Sequence, residues 1–283
     1  MTSLHQSPTI NIMENAARKA GKNLIRDFGE LEKLQVSSKS LGNFVTNSDI
    51  KSEKIIKETL QYHFPEYGLI MEESGEVQGS EKDHTFIIDP IDGTNNFIHG
   101  IPQFSIVIAK LTFGKITDGI IYNPITEEFY WSSKGKGAWL NNTRLRVSNR
   151  DKIDHCVIAT GQKNNENNER TFSQQQNILN LNATLRCMGS AALDLAFVAS
   201  GRFDAFWQYN LNLWDIASGI LLVMEAGGKI TQANGEDWNT SSDSILASNS
   251  KIHNNLVDLL LNYIIWLTCI NLYLVYKIDK NIK

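Results

Sequence analysis

Asp89-Pro90-Ile91-Asp92-Gly93-Thr94-Asn95-Asn96-Phe97 follows directly on the short apolar run Thr85 to Ile88. Such a run, bounded by polar residues, reads as a strand, so two carboxylates leave one strand end together. Pro90 stiffens the backbone between them. Gly93 permits a tight turn where a Cβ would obstruct an approaching ligand. A helical turn beginning at Gly93 or Thr94 would set free N–H groups beside the carboxylates, a place for an anion next to a place for a cation. The same residue types also suit a plain N-cap and turn.

Outward from this segment the runs Phe104 to Leu111, Ile116 to Tyr122 and Glu128 to Trp131 are separated by Gly114-Lys115, Asn123-Pro124 and Asn141-Asn142. Tight turns between short apolar runs predict antiparallel strands. Upstream, Ile10, Met13, Ala17, Ala20, Leu24 and Phe28 recur at helical spacing and predict a helix closing near Gly29. A second helix is expected from about Ile50 to Phe64, opening at Ser48-Asp49 and stopped by Pro65. The polar stretch Ser37 to Asn43 between them reads as a mobile loop. Downstream the spacing predicts a strand at Cys156 to Thr160, helices near Thr171 to Leu179, Ser190 to Ser200 and Ile216 to Ala226, and a strand Lys229 to Thr231. Asn164 to Asn168 reads as a surface loop. Helices packed on two sheets are the expected architecture.

The 283 residues are 42% hydrophobic and 9% aromatic, with 27 basic against 31 acidic side chains and a formal charge of −4. This excludes disorder and fibrous folds, and the absence of a Lys/Arg block argues against attachment to nucleic acid or membrane by bulk charge. Cys156, Cys187 and Cys269 form no C-x-x-C, so neither a disulfide framework nor a thiolate zinc site is expected. Asn15, Arg18, Lys19 and Lys22 interrupt the first thirty residues, which predicts no secretory signal and a cytoplasmic address. The uncharged stretch Leu259 to Tyr276, followed by Lys277, Lys280 and Lys283, sits at the lower length limit for a bilayer span, and Asn262 and Asn271 weaken that reading. A segment docked on the body or at a subunit interface is expected there, with membrane contact as the alternative.

Two further acidic positions stand out, Glu72-Glu73 after Leu69-Ile70-Met71, and Asp215 after Trp214. Alone, the first reads as solvated surface and the second as a helix N-cap. A covalent aspartyl-phosphate phosphatase needs its two acids one residue apart, whereas Pro90 and Ile91 both intervene here. No G-x-x-x-x-G-K-[ST], no G-x-S-x-G and no i, i+4 histidine pair is present, and His99 reads as a loop or core residue.

Taken in order, Glu72-Glu73, Asp89-Pro90-Ile91-Asp92-Gly93-Thr94, and Trp214-Asp215 followed by Glu225-Ala226-Gly227-Gly228 resemble the inositol monophosphatase family of metal-dependent, lithium-sensitive sugar phosphatases, from the first helix to about His253. The resemblance implies an α+β fold, a layered α-β-α-β-α sandwich. Its antiparallel first sheet would occupy residues 1–150 with the metal motifs, a smaller α/β half 151–255 would complete the site, and 256–283 would be an atypical apolar tail. It also implies two to three Mg²⁺ ions: Glu72, Asp89 and the Ile91 carbonyl for one, Asp89, Asp92 and Asp215 for a second, and a weaker third sharing Glu72. Oxygen-only ligands suit such a hard cation.

By the same resemblance, Glu72, Thr94 and Asp49 are catalytic, with Thr94 orienting the attacking metal-bound water and Asp49 behind it; Asp49 alone reads equally well as the N-cap of the second helix. Phosphate would lie against Gly93, Thr94 and Asn95, and the sugar ring against Gly189, Ser190, Ala191, Asp215 and Gln208. At Gln208, seven residues before Asp215, the family carries an acid. An amide still accepts and donates, but without the charge-assisted bond to a hydroxyl. The implied reaction is hydrolysis of myo-inositol monophosphate to inositol and phosphate. Alternatives are another small phosphomonoester (fructose bisphosphate, phosphoadenosine phosphate, NADP or histidinol phosphate), or a binding role in a ribosomal RNA antitermination complex with RNA polymerase. A homodimer is implied as well.

Overall fold

Ser7 and Pro8 start the first helix, α1 (Pro8–Phe28). The Ser7 hydroxyl accepts from the Ile10 N–H, and proline suits a position whose own N–H would have no helical partner. The structure, a computed structural model, describes residues 6–30, 36–40, 43–161 and 169–261. α1 buries Ile10, Met13, Ala16, Ala17, Ala20 and Leu24, the stripe its spacing marks out. The second helix, α2 (Asn47–His63), opens before Ser48-Asp49. Its N-cap is Thr46, whose hydroxyl accepts from the Ser48 and Asp49 N–H groups, while Asp49 accepts the Thr46 N–H at 2.7 Å. This capping box makes Asp49 the third helical residue and not the cap.

The stretch read as a mobile loop instead contains two antiparallel strands, β1 (Val36–Ser40) and β2 (Asn43–Thr46), with Val36 opposite Thr46; Leu41 and Gly42 lie outside the described residues. A run of serines has no apolar alternation, so the strand signal resides in backbone pairing that the sequence does not display.

The large sheet has eight strands: β3 (Tyr67–Met71), β4 (Gly75–Val77), β5 (Glu81–Asp92), β6 (Ser105–Thr112), β7 (Lys115–Asn123), β8 (Glu128–Ser133), β9 (Gly137–Leu140) and β10 (Thr143–Arg144). Their spatial order is β10-β9-β8-β7-β6-β5-β3-β4, and every neighbouring pair is antiparallel except β3 and β5, which run parallel. One face, with Ile88, Ile106, Ile108, Ile120 and Trp131, is covered by α1 and α2. The other, with Val107, Ile121 and Tyr130, meets α5 (Ala191–Ala199) and α6 (Leu213–Glu225). β5 is therefore buried without interruption from Phe86 to Asp92, which erases the alternation expected of a half-exposed strand. α6 lies so close to the sheet that a Cβ on Gly119 would stand 3.0 Å from the Ser218 Cα, and the Ser218 hydroxyl donates to the Ile108 carbonyl at 2.8 Å.

A second sheet has the order β12-β11-β13-β15-β14, formed by β11 (Val157–Thr160), β12 (Thr184–Arg186), β13 (Ala205–Tyr209), β14 (Lys229–Thr231) and β15 (Ser244–Ser248). Ala159, Phe206, Ile245 and Ala247 face α5 and α6. Ile158, Trp207 and Leu246 face outward, where α4 (Glu169–Asn180) and a helix over 253–261 cover them with Ile178, Leu256 and Leu260. The layers are thus α-β-α-β-α, as expected. The Asn164 to Asn168 loop and the tail from residue 262 lie outside the described residues; among the described ones, no helix is long and apolar enough to cross a membrane.

Candidate functional site

Separate chain segments deliver the acids. Parallel pairing sets Met71 opposite Ile88, and the Glu72 N–H extends that ladder to the Ile88 carbonyl at 3.2 Å, so Glu72 emerges beside Asp89. On the other side of β5, the register with β6 is broken between Asp89 and Asp92. Pro90 has no N–H to contribute there, and the Ile91 N–H turns to Asp89 Oδ1 at 2.9 Å. Asp215 belongs to the first turn of α6. The N-cap of that helix is Asn212 rather than Asp215, and Asp215 Oδ2 accepts the Asn212 N–H at 2.9 Å.

Asp89 is 2% and Asp92 8% exposed. Burial pushes the Asp89 carboxyl well above the usual carboxylate range, and the charges of Glu72, Asp92 and Asp215 push the same way, with Glu72 also hydrogen-bonded to it. Asp92 is pushed up to about 6 by burial, against the pull of the Ser190 hydroxyl and the Ala192 N–H at 2.9 Å. Asp49 is likewise pushed up to about 6, by burial first and by Glu72, against its two bonds from Thr46. No basic side chain of a described residue is among the leading causes of these three shifts. Among the described residues, like charges are gathered here.

Gly93 joins strand to helix with φ of 95°, a left-handed conformation that favours glycine. A Cβ there would lie 3.0 Å from the Gln103 carbonyl and 3.2 Å from that of Gly189. The expected helical turn follows as α3 (Thr94–Ile98). The Thr94 hydroxyl has two acceptors for its single proton, Asp49 Oδ1 at 3.3 Å and the Ile91 carbonyl at 3.0 Å. Asn95 is exposed, and its carbonyl lies 2.7 Å from Nδ1 of His99, which is a loop residue beyond α3.

The second sheet's half enters through Gly189, Ser190 and Ala191. Ser190 caps α5 by accepting the Leu193 N–H at 3.3 Å while donating to Asp92. Gln208 lies on β13 with its amide packed against Gly161, at the border of residues 162–168, which are outside the described set.

Sequence reasoning gave no role to several residues that shape this region. Asn96 donates to the Met188 carbonyl at 2.8 Å and to the Gln103 carbonyl at 2.7 Å, stapling the two halves; its place inside the central motif is the signal for it. Ser52 donates to the Pro90 carbonyl at 3.3 Å, and Glu53 accepts the Glu73 N–H at 2.8 Å and the Ser74 hydroxyl. Both lie one helical turn beyond Asp49, which is how spacing could have found them. Asp194 is buried on α5 and pushed well above the usual range by burial and by Asp92.

Among the described residues, no group of three or more His, Cys, Asp or Glu side chains is closed around a point where an ion could sit. The carboxylate oxygens face hydroxyl and backbone donors instead. In chemistry the set nonetheless fits a hard divalent cation: its donors are all oxygen, and the charges of Glu72, Asp92 and Asp215 bear on buried Asp89.

A profile of the inositol monophosphatase family matches residues 5–264. A Caulobacter vibrioides protein named inositol-1-monophosphatase is 46% identical, over 87% of this chain and 98% of its own. A Neisseria meningitidis serogroup B protein named putative Nus factor SuhB is 40% identical, over 87% and 95%. The crystal structure of the extragenic suppressor protein suhB from Bartonella henselae is 44% identical and superposes with a TM-score of 0.88, over 90% of this chain and 98% of its own.

Proposed function

The chain belongs to the inositol monophosphatase family, and from that premise we propose that it hydrolyses myo-inositol monophosphate to inositol and phosphate. One observation carries the reading. Buried Asp89 and Asp92 face the half-buried Glu72 and Asp215, whose charges act against that of Asp89, next to a strand-to-helix turn whose backbone suits a phosphate.

Glu72, Asp89, the Ile91 carbonyl, Asp92 and Asp215 would hold two to three Mg²⁺ ions. When bound, the ions supply Lewis acidity and neutralise charge on the ester oxygens. Phosphate would rest against Gly93, Thr94 and Asn95. Thr94 Oγ is suited to accept a hydrogen bond from the attacking water while its own proton is given to Asp49 Oδ1, one of its two acceptors, once a cation occupies the Ile91 carbonyl. Asp49, held up to about 6, can then receive a proton near neutral pH, so the capping role and the catalytic role coexist in one side chain. Water adds to phosphorus, the sugar oxygen departs with a proton, and inorganic phosphate is released. Gly189, Ser190, Ala191, Gln208 and Asp215 would meet the ring hydroxyls. Ser190 and the Ala192 N–H hold Asp92 in register with that surface.

Phosphate release from a panel of inositol 1-phosphate, fructose 1,6-bisphosphate, phosphoadenosine phosphate, NADP and histidinol phosphate tests the reading. Release is expected with millimolar Mg²⁺ and not with EDTA, fastest on inositol 1-phosphate and slowed by LiCl relative to KCl. No release from any ester would sink it.

A second reading rests on the relative named putative Nus factor: a surface role in a transcription complex, compatible with the enzyme. Binding to RNA polymerase that survives Asp92→Asn would separate it from catalysis. Homodimerisation and a cytoplasmic address are proposed on family likeness alone.

A further inference from the structure

We propose that Glu53 is a positioning residue for the cation site, acting through the turn that carries Glu72; the inference rests on the proposed metal role of Glu72. Glu53 is 2% exposed, and both of its carboxylate oxygens are committed to one turn of chain outside its own helix. Oε2 accepts the Glu73 N–H at 2.8 Å and Oε1 accepts the Ser74 hydroxyl. A buried carboxylate is costly unless it is hydrogen-bonded, and this one sits close to other acids, so helix packing alone does not account for it. Its neighbours on α2 make the same kind of contact. Asp49 meets the Thr94 hydroxyl and Ser52 meets the Pro90 carbonyl. The first two turns of α2 therefore hold three separate pieces of the site: Thr94, the Asp89–Asp92 bend, and the Glu72 turn.

Without Glu53, the Glu73 N–H and Ser74 hydroxyl lose this acceptor, and the turn that follows Glu72 at the end of β3 loses its anchor on α2. Groups bonded directly to a metal ligand change affinity by roughly 10–100-fold, and Glu53, which holds the two residues after Glu72, is expected at the low end of that range. Glu53→Gln keeps the shape but presents an amide that cannot satisfy both donors, and it removes a charge. Ser74→Ala leaves every charge in place and removes one of the two bonds.

The test is titration of metal-stripped, full-length protein with Mn²⁺, with the unbound ion read by electron paramagnetic resonance and folding checked by thermal unfolding. Against wild type, Glu53→Gln is expected to raise the Mn²⁺ dissociation constant at least about tenfold, and Ser74→Ala to raise it about threefold. Mn²⁺ affinity within twofold of wild type in Glu53→Gln overturns the proposal. So does a loss in Glu53→Gln with none in Ser74→Ala, which would mean that charge and not positioning matters. Wild-type protein that binds no Mn²⁺ would instead remove the metal reading itself, and this inference with it.

Discussion

Asp89 and Asp204 are both buried carboxylates next to a sheet, and their surroundings are opposite. Asp204 is 0% exposed and receives the Arg150 guanidinium at 2.9 Å, the Val157 N–H at 2.8 Å, the Asn249 amide at 3.3 Å and the Ser148 hydroxyl. The protein supplies a counter-charge and several donors, and the group serves to join the segment before β11 to the segment after β15. Asp89 receives one backbone N–H and is otherwise surrounded by Glu72, Asp92 and Asp215. A buried charge that the chain neutralises itself is part of the scaffold. One that the chain surrounds with more of the same sign is suited to a cation from outside.

Asp92→Asn should lower Mg²⁺-dependent phosphate release at least ~10²-fold, since even outer partners of a metal are worth 10–100-fold, with the melting temperature unchanged or raised. Retained activity would put the cations elsewhere. Asp204→Asn should do the reverse, destabilising the fold by ~1–3 kcal/mol in urea unfolding because an amide cannot accept from all of its buried donors, while kcat per folded molecule holds; Arg150 is exposed enough for water to take over its charge.

His253 sharpens the scaffold side. Its ring nitrogens lie 2.6 Å from the Ser248 hydroxyl and 2.9 Å from that of Thr231, and burial, with help from Lys229, holds it down to about 4 against a usual 6.5. The unfolded chain therefore binds the proton more readily. Stability is fully present above pH 6.5 and falls as pH drops toward 4, by up to ~3 kcal/mol. Urea midpoints at pH 7 and pH 4.5 should show a smaller drop for His253→Gln than for wild type; equal drops would remove this contribution.

The smallest effect concerns the pocket. Gln208→Glu introduces the acid that the resemblance implies at this position, and a charge-assisted bond to a ring hydroxyl should lower KM for inositol 1-phosphate about fivefold, ~1 kcal/mol, with kcat little changed. A KM that rises would point to a different ester as the preferred substrate.

The central motif was legible because Pro90, Gly93 and two acids compress strand end, turn and ligands into adjacent positions, and local geometry follows from local sequence. What converges on it was legible only through resemblance. That β3 lies parallel to β5, and so brings Glu72 to Asp89, is a choice of strand partner that no local pattern records. The caps were misread for a simpler reason: near both helix starts several residues could cap, and the structure uses Thr46 and Asn212 while the nearby aspartates close the box from the third helical position. β13 and β15 escaped detection because all their residues are buried, and a strand covered on both faces loses its period-two signature.

Thermal unfolding of metal-stripped wild type and Asp89→Asn, each in EDTA and in excess Mg²⁺, shows whether the gathered acids hold a cation. Asp89→Asn should melt at or above wild type in EDTA, because a repelled charge is gone, and Mg²⁺ should then raise the melting temperature of wild type but not of the variant. Wild type that melts at the same temperature with and without Mg²⁺, or a variant that gains as much from the ion as wild type does, would contradict cation binding there.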